Sequence, residues 1–458
     1  MREKKLRLEN HQFYDFHTIE RHLEKMAAKG WRLERIGRMG WHYRRAPAKK
    51  LTYAVEYFEQ GSDFNAALPE GQRTFVEYCE ASGWQLVGTW AQMMILVSEE
   101  EDPVPIETEP ATRLETIRRA MWKNFLPGTI IMVVLAVLQI AMNLSQFFRS
   151  PIDAWSGFAV YGMAAWVLLG VMFGARLVNY GLWLRRAGRA VEGGMPLPQS
   201  NARWLAAGDY AVLALIIVMM LLQFAGKSLR YIMPGIIVFI GFYINIFFTD
   251  RLREFLKRRN VSAAVNRVLS IAFCALFTVA LMSGMVWYIL RYPDPKPETA
   301  GTYTYEVHEG LTRTVTLERD PMPLVLEDLT TVTSEAVSYE SRVNGTPFLT
   351  YTDYWQQCYD DRAYFTYEVL DVHWDALYEV CLQEWLDDIN EDVHFGHRWE
   401  AADPAPWGAE RVWQEYWNEY DEFSGEYLIC WADRIVRLEF DTPLTAEQTA
   451  IAAAKLAP

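Results

Sequence analysis

Between Phe125 and Leu290 the chain passes through five apolar stretches, and no other feature restricts its fold so strongly. They begin with "FLPGTIIMVVLAVLQIAMNL" at Phe125 and end with "VLSIAFCALFTVALMSGMVWYIL" at Val268. About 20 such residues cross a 30 Å hydrocarbon layer as a helix. A helix that is apolar all round has no face for water. The stretches therefore read as a five-helix transmembrane bundle at about 125–144, 156–178, 204–226, 231–248 and 268–290. Pro234 falls in the first turn of the fourth, where proline is tolerated.

Flanking charge sets an orientation. Fourteen Lys and Arg flank the spans on one side: four at 113–123 before the first, four at 185–203 between the second and third, and six at 251–267 between the fourth and fifth. Only Arg149, Lys227, Arg230 and Arg291 flank the other ends. Cytoplasmic loops carry the excess of positive charge, so the N-terminus is expected inside and, after an odd number of spans, the C-terminus outside. The opening "MREKKLRLENHQFYDFH" has no apolar core, so no cleavable signal peptide is expected. The net charge of -14 is unevenly spread: residues 292–458 hold 34 acidic against 10 basic side chains, and residues 1–97 hold 12 against 15. The two ends are thus expected to face different surroundings.

Polar residues within the spans are few: Gln139, Asn179, Asp209, Gln223 and Asn245. Asp209 lies shallow in its span and reads as interfacial or paired with Arg203, ahead of an ion or proton site. With no charge at mid-membrane and no inverted repeat, a transporter is poorly supported.

Ahead of the spans one pattern occurs twice. Ile19, Leu23 and Met26 mark a helix that stops at Gly30, and Trp31 and Leu33 then open a strand. Phe75, Tyr78 and Cys79 mark a second helix that stops at Gly83, followed by Trp84 and Leu86. Glycine supplies the left-handed turn, and the tryptophan is expected between helix and sheet. "GWHYRRA", "LTYAVEYF" and "AQMMILVSE" read as further strands. Residues 1–98 are therefore expected to be a cytoplasmic two-layer α+β domain, two helix-plus-hairpin repeats on one antiparallel sheet. Arg32, Arg35, Arg38, Arg44, Arg45, Lys49 and Lys50 make its hairpin region basic. This reads first as a sheet edge guarded by charge, next as a surface for anionic lipid. Nucleic acid is disfavoured, because the domain's net charge is small.

"HLEKMAAKGWRLERIGRMGWHYRRA", "LTYAVEYF" and "FVEYCEASGWQLVGTW" resemble the bacterial membrane protein family catalogued as domain of unknown function 2812, over roughly residues 10–98. The outer segments "MPLVLEDL" and "YLICWADRIVRLEFDTPLTAEQ" look similar to the tail of the same family. The resemblance implies a cytoplasmic domain ahead of several spans and supplies no site residue.

Residues 99–124 read as an acidic tether, "EEEDPVPIETEPAT", and a juxtamembrane helix with Leu114, Ile117 and Met121 on one face. Residues 291–458 read as an acidic extracytoplasmic α+β domain. It is expected to contain a hairpin near Asn344-Gly345, a helix over "WDALYEVCLQEWLDD", a hairpin turning at Ala432-Asp433, and a closing helix capped by Thr445 and Gln448. Cys358, Cys381 and Cys430 permit one internal bridge at most, and are expected to be reduced or buried. His394 and His397, near Glu391 and Asp392, lack the second ligand pair of a zinc site. Glu415, Glu419 and Glu422 beside Trp413 and Trp417 could form a glycosidase pair only at controlled separation, and read as acidic surface over an aromatic core.

No catalytic, cofactor or metal residue is assigned, and no cofactor is expected. The favoured reading is a non-enzymatic sensor, regulatory or scaffold protein of the bacterial cytoplasmic membrane. Its expected partners are the lipid bilayer, a cationic peptide or envelope ligand outside, and a cytoplasmic protein inside. The alternatives are a cell-envelope hydrolase carried by the outer domain, tested by His373, His394 and His397, and a transporter subunit.

Overall fold

A computed structural model describes residues 3–37, 40–106, 109–157, 159–200, 203–223, 229–291, 301–308, 311–332, 334–360, 363–390 and 396–458. The chain forms two compact units, Met1–Leu138 with Ala165–Tyr292, and Gln139–Ala164 with Pro293–Pro458.

In the first unit, β1 (Lys4–Arg7), helix Phe16–Ala28, β2 (Trp31–Gly37) and β3 (Gly40–Arg45) are followed by β4 (Thr52–Tyr57), helix Glu70–Ala81, β5 (Trp84–Trp90) and β6 (Met93–Ser98). The strands form two antiparallel three-stranded sheets, β1-β3-β2 and β4-β6-β5, where one was expected. Each repeat is therefore a strand, a helix and a hairpin, with the leading strand added to the hairpin's far edge. Leu33 pairs with Tyr43 and Leu86 with Leu96, and each hairpin carries a bulge directly after its leucine, at Leu33/Arg35 and Leu86/Gly88. Gly30 and Gly83 hold φ of 75° and 82°, the left-handed stop expected of them.

Two layers become three. Tyr53, Val55, Tyr57, Met93, Ile95 and Val97 pack with Ile19 and Leu23 of the first helix. Met94 and Leu96 turn the other way, onto Val76 and Cys79 of the second. The whole of β6 is buried, as a continuous apolar run covered on both faces should be. Trp84 is buried and donates its Nε1–H to the Val104 carbonyl. Trp31 is only half-buried, with Lys5 and Arg45 over its ring.

The acidic tether is held rather than free: Glu99 takes ion pairs from Arg32 and Lys49. Helix Pro110–Asn124 then buries Ile117, Ala120 and Met121 against the core that both repeats share. Among the described residues, three helices are long and apolar enough to cross a membrane, Leu126–Arg149, Ala159–Glu192 and Ala263–Tyr288, beside a shorter apolar helix, Trp204–Met219. Val137, Val171 and Leu276 on them are 60, 63 and 70 % exposed, far more apolar surface than water tolerates in one patch. These helices point to a membrane protein.

Several helices outrun the apolar stretches. The second extends from 178 to Glu192, the helix Leu229–Arg258 passes 248, and the last begins at Ala263, before 268. Arg, Lys, Leu and Glu are good helix formers, so the change from apolar to charged residues does not end the helix. Residues 224–226, the expected end of the third span, lie outside the described residues.

The helix ends that extend past the apolar stretches touch the N-terminal domain within the same unit. Tyr14 Oη donates to Asn179 Oδ1 at 2.8 Å, and its ring meets Tyr180 and Trp183. Arg253 pairs with Asp63 at 3.7 Å, and Arg267 lies over the Phe64 ring.

The second unit is built on a seven-stranded antiparallel sheet beside the hairpin of β7 (Gly301–His308) and β8 (Leu311–Leu317). Its strands are β9 (Val337–Gly345), β10 (Leu349–Cys358), β11 (Tyr364–Val372), β12 (His397–Ala401), β13 (Arg411–Trp417), β14 (Glu422–Cys430) and β15 (Arg434–Phe440), in the order β12-β13-β14-β15-β11-β10-β9. Phe365, Tyr367, Val436 and Leu438 face the closing helix Ala446–Leu456. Leu370, Val372, Leu428 and Ile435 face helix Tyr378–Asn390 and the short helix Pro151–Ser156. The expected hairpins and the Thr445–Gln448 cap are present, with Gln448 N–H donating to Thr445 Oγ1 at 3.3 Å.

Candidate functional site

Strand alternation puts Glu368 of β11 and Arg437 of β15 on the face covered by helix Tyr378–Asn390. That helix presents Glu379, Glu384, Asp387 and Asp388, and the segment Phe148–Asp153 supplies the opposite wall. Together they enclose an open cleft of about 1090 Å³. Six carboxylates line it (Asp153 with the five acids just named) against two cations, Arg149 and Arg437. Arg437 is committed to Glu426 at 2.6 Å and to Asp388 at 2.8 Å. Glu384 accepts the backbone N–H of Ile152 at 2.7 Å, and Tyr351 donates its hydroxyl to Glu368 at 2.6 Å.

Burial pushes Glu384 up to about 7, with the like charges of Asp153, Asp388 and Glu368 adding and the Ile152 N–H opposing. Burial likewise lifts Glu426 to about 7 against the pull of Arg437, and raises Glu368 against its Tyr351 hydrogen bond. Crowded carboxylates that hold protons near neutrality favour a cation, which replaces those protons.

The other sequence candidates do not converge. His394, Glu391 and Asp392 lie outside the described residues. His397 Nδ1 is 2.8 Å from Glu415 Oε1, and Trp417 donates its Nε1–H to the other carboxylate oxygen. Glu415 is thus buried and engaged, whereas Glu419 and Glu422 are exposed. His373 is exposed and bonds Thr350 Oγ1 at 2.9 Å. It follows β11, four strand spacings from His397 on β12, or roughly 19 Å. Cys358, Cys381 and Cys430 are free and buried, and burial raises the Cys381 and Cys430 thiols to about 12, which leaves no thiolate nucleophile there.

Asp209 is paired, with Arg176 at 2.6 Å and the Asn10 side-chain amide at 2.7 Å; the side chain of Arg203, its expected partner, lies outside those described. Asn179 bonds Tyr14, and Asn245 donates to Thr278 Oγ1 and the Cys274 carbonyl on a neighbouring helix. These polar groups pack separately, which counts against a shared transport cavity.

A second constellation was passed over in the sequence. Glu9, His11 and His22 bring three ligand atoms within 4.8 Å of one another beside a cavity of about 350 Å³. Glu9 and His11 sit on the segment between β1 and the first helix, and His22 one turn before Met26 on that helix. Burial alone would raise the Glu9 carboxyl, but the neighbouring His11, the hydrogen-bonded His22 and the charge of Arg7 hold it well below the usual carboxylate range. Glu-x-His followed eleven residues later by His is too sparse a pattern to single out.

Mixed α and β structure in two compact units, with three helices long and apolar enough to span a bilayer, points to the class of membrane proteins. Residues 15–129 match the family described as "Protein of unknown function (DUF2812)", the family that the Gly-Trp repeat resembles. The match therefore runs through helix Pro110–Asn124 into the first long helix. No curated protein and no solved structure matches the chain.

Proposed function

We propose that the protein is a multi-pass sensor or scaffold of the bacterial cytoplasmic membrane. Five helices cross the bilayer, the N-terminal domain meets a cytoplasmic protein partner, and the C-terminal domain binds a cationic peptide or envelope ligand. The acidic cleft at helix Tyr378–Asn390 carries this reading, with six carboxylates against two cations at its wall. The orientation draws on the excess of Lys and Arg in the stretches at 185–203 and 251–267, parts of which touch the N-terminal domain at Asp63 and Phe64. It also draws on the loop beyond the first long helix, where Thr346 Oγ1 donates to the Trp155 carbonyl of the C-terminal unit. A ligand transmits a signal only when it favours one conformation over another. Helices Leu126–Arg149 and Ala159–Glu192 flank the segment Ser150–Asp153 that walls the cleft, and so offer a covalent route.

Two measurements test it. Full-length protein in detergent, titrated with trilysine, should bind in a salt-sensitive manner and lose binding in an E379Q/D387N/D388N variant; equal binding by that variant would remove the proposed ligand class. In intact cells, an impermeant maleimide should label Glu447→Cys and spare Glu80→Cys, and the reverse pattern would overturn the orientation.

A further inference from the structure

We propose that Glu9, His11 and His22 form a binding site for a zinc-class divalent transition metal ion on the N-terminal domain, with its open position on the adjoining cavity. Zinc bonds of 2.0–2.2 Å to nitrogen and oxygen place tetrahedral ligand atoms roughly 3.3–3.5 Å apart. His22 Nε2 lies 3.0 Å from Glu9 Oε1, and His11 Nε2 lies 3.6 Å from Glu9 Oε2. The two imidazoles thus face the two oxygens of one carboxylate, and one ligand atom from each residue lies within 4.8 Å of the other two. Two imidazoles and one carboxylate suit zinc, cobalt or nickel rather than magnesium or calcium, and three protein ligands leave a fourth position for an outside group.

Two orphaned polar atoms favour an ion over a plain hydrogen-bond network. His11 Nε2 is buried and has no hydrogen-bond partner, the Glu9 oxygen it faces being too distant. Asp15 Oδ1, on the same cavity, is also buried without one. Buried polar atoms of this kind call for an explanation, and a cation among them supplies it. The ligands are also held in advance. The His11 ring is 5.1 Å from both the Trp41 and His22 rings, and Tyr43 donates its hydroxyl to Glu9 Oε1 at 3.3 Å. Outer groups of this type orient metal ligands.

The cavity also determines what the fourth ligand is. Arg7, Arg21 and Lys25 line it, and Arg7 Nε is already 3.2 Å from Glu9. An open metal position beside three cations favours water, hydroxide or a small anion. The site is independent of the acidic cleft, since no residue is shared.

The test uses the full chain, without a histidine tag, purified in detergent and stripped with chelator. Titration with Co²⁺ should show one ion per chain, with visible absorption of four-coordinate cobalt that Zn²⁺ abolishes. H11A and H22A should each weaken Co²⁺ binding by more than about 100-fold, beyond the loss expected for an outer-shell contact. An E379Q/D387N/D388N variant should bind Co²⁺ as the parent does. Absence of stoichiometric Co²⁺ uptake by the unmutated protein overturns the proposal without recourse to any variant. Uptake unchanged in an H11A/H22A chain overturns it equally.

Discussion

Arg176 Nη2 stands 2.6 Å from Asp209 Oδ2 and ties helix Ala159–Glu192 to helix Arg203–Gln223. Asp209 is 9 % exposed and accepts a second bond from Asn10. The adjacent Tyr210 donates its hydroxyl to the Leu8 carbonyl at 3.0 Å. Two neighbouring residues of one helix thus hold the segment that carries Glu9 and His11.

Removing one partner of a buried ion pair leaves the other uncompensated. Asp209→Ala should destabilise the first unit by about 3 kcal/mol, the lower end for such pairs, because Arg176 retains some contact with solvent. An R176A/D209A double variant should lose less than the two single changes combined. Thermal unfolding in detergent measures both, and strictly additive losses would contradict the pairing.

The two helix-stopping glycines should respond differently. A side chain at either position adopts the left-handed region, at a cost of about 1–2 kcal/mol. At Gly30 the new Cβ would also sit 2.9 Å from the Ala46 carbonyl oxygen, which is backbone. At Gly83 it meets the Glu100 carboxylate, the end of a flexible side chain. Gly30→Ala should therefore unfold at lower denaturant than Gly83→Ala.

The tryptophans that follow them should differ more. Trp84 is 3 % exposed, so Trp84→Ala should cost about 3–5 kcal/mol. Trp31 meets Lys5 and Arg45 across a half-open face. Trp31→Ala should cost about 1–2 kcal/mol, the scale of two exposed cation–π contacts. Equal costs would show that the two repeats bury their tryptophans alike.

Glu384 gives the C-terminal unit a pH dependence. Its carboxyl is raised from 4.5 to about 7, so between those values the folded chain holds a proton that the unfolded chain releases. Its contribution to stability is full below pH 4.5 and is lost as pH rises through 7. Glu384→Gln keeps an acceptor for the Ile152 N–H and should flatten the melting-temperature profile across that window. A profile of unchanged slope would mean that Glu426, also raised to about 7, carries the effect.

What was legible in the sequence was local. The stops at Gly30 and Gly83, the turn at Ala432-Asp433 and the Thr445–Gln448 cap each depend on residues a few positions apart. The pairing of Asp209 with Arg176 was not legible, because 33 residues separate them in the sequence and two helices must pack before they meet. Lys4–Arg7 is too short and too basic to announce a strand, so the sequence leaves the first repeat one strand short. In β6 the unbroken apolar run left the facing of the sheet undecided, and a second layer of helix was missed. Glu9, His11 and His22 meet only after a strand, a helix and a hairpin have folded together.

The shared offset between the hairpins gives the N-terminal domain an internal symmetry. Leu33–Tyr43 and Leu86–Leu96 are the same pairing displaced by one constant interval, with a bulge at the same step in each. Such agreement in register makes the two hairpins one structural unit used twice, each closing over its own helix. The surroundings of the two copies differ all the same: Trp84 lies sealed beneath Val104, whereas Trp31 faces Lys5 and Arg45.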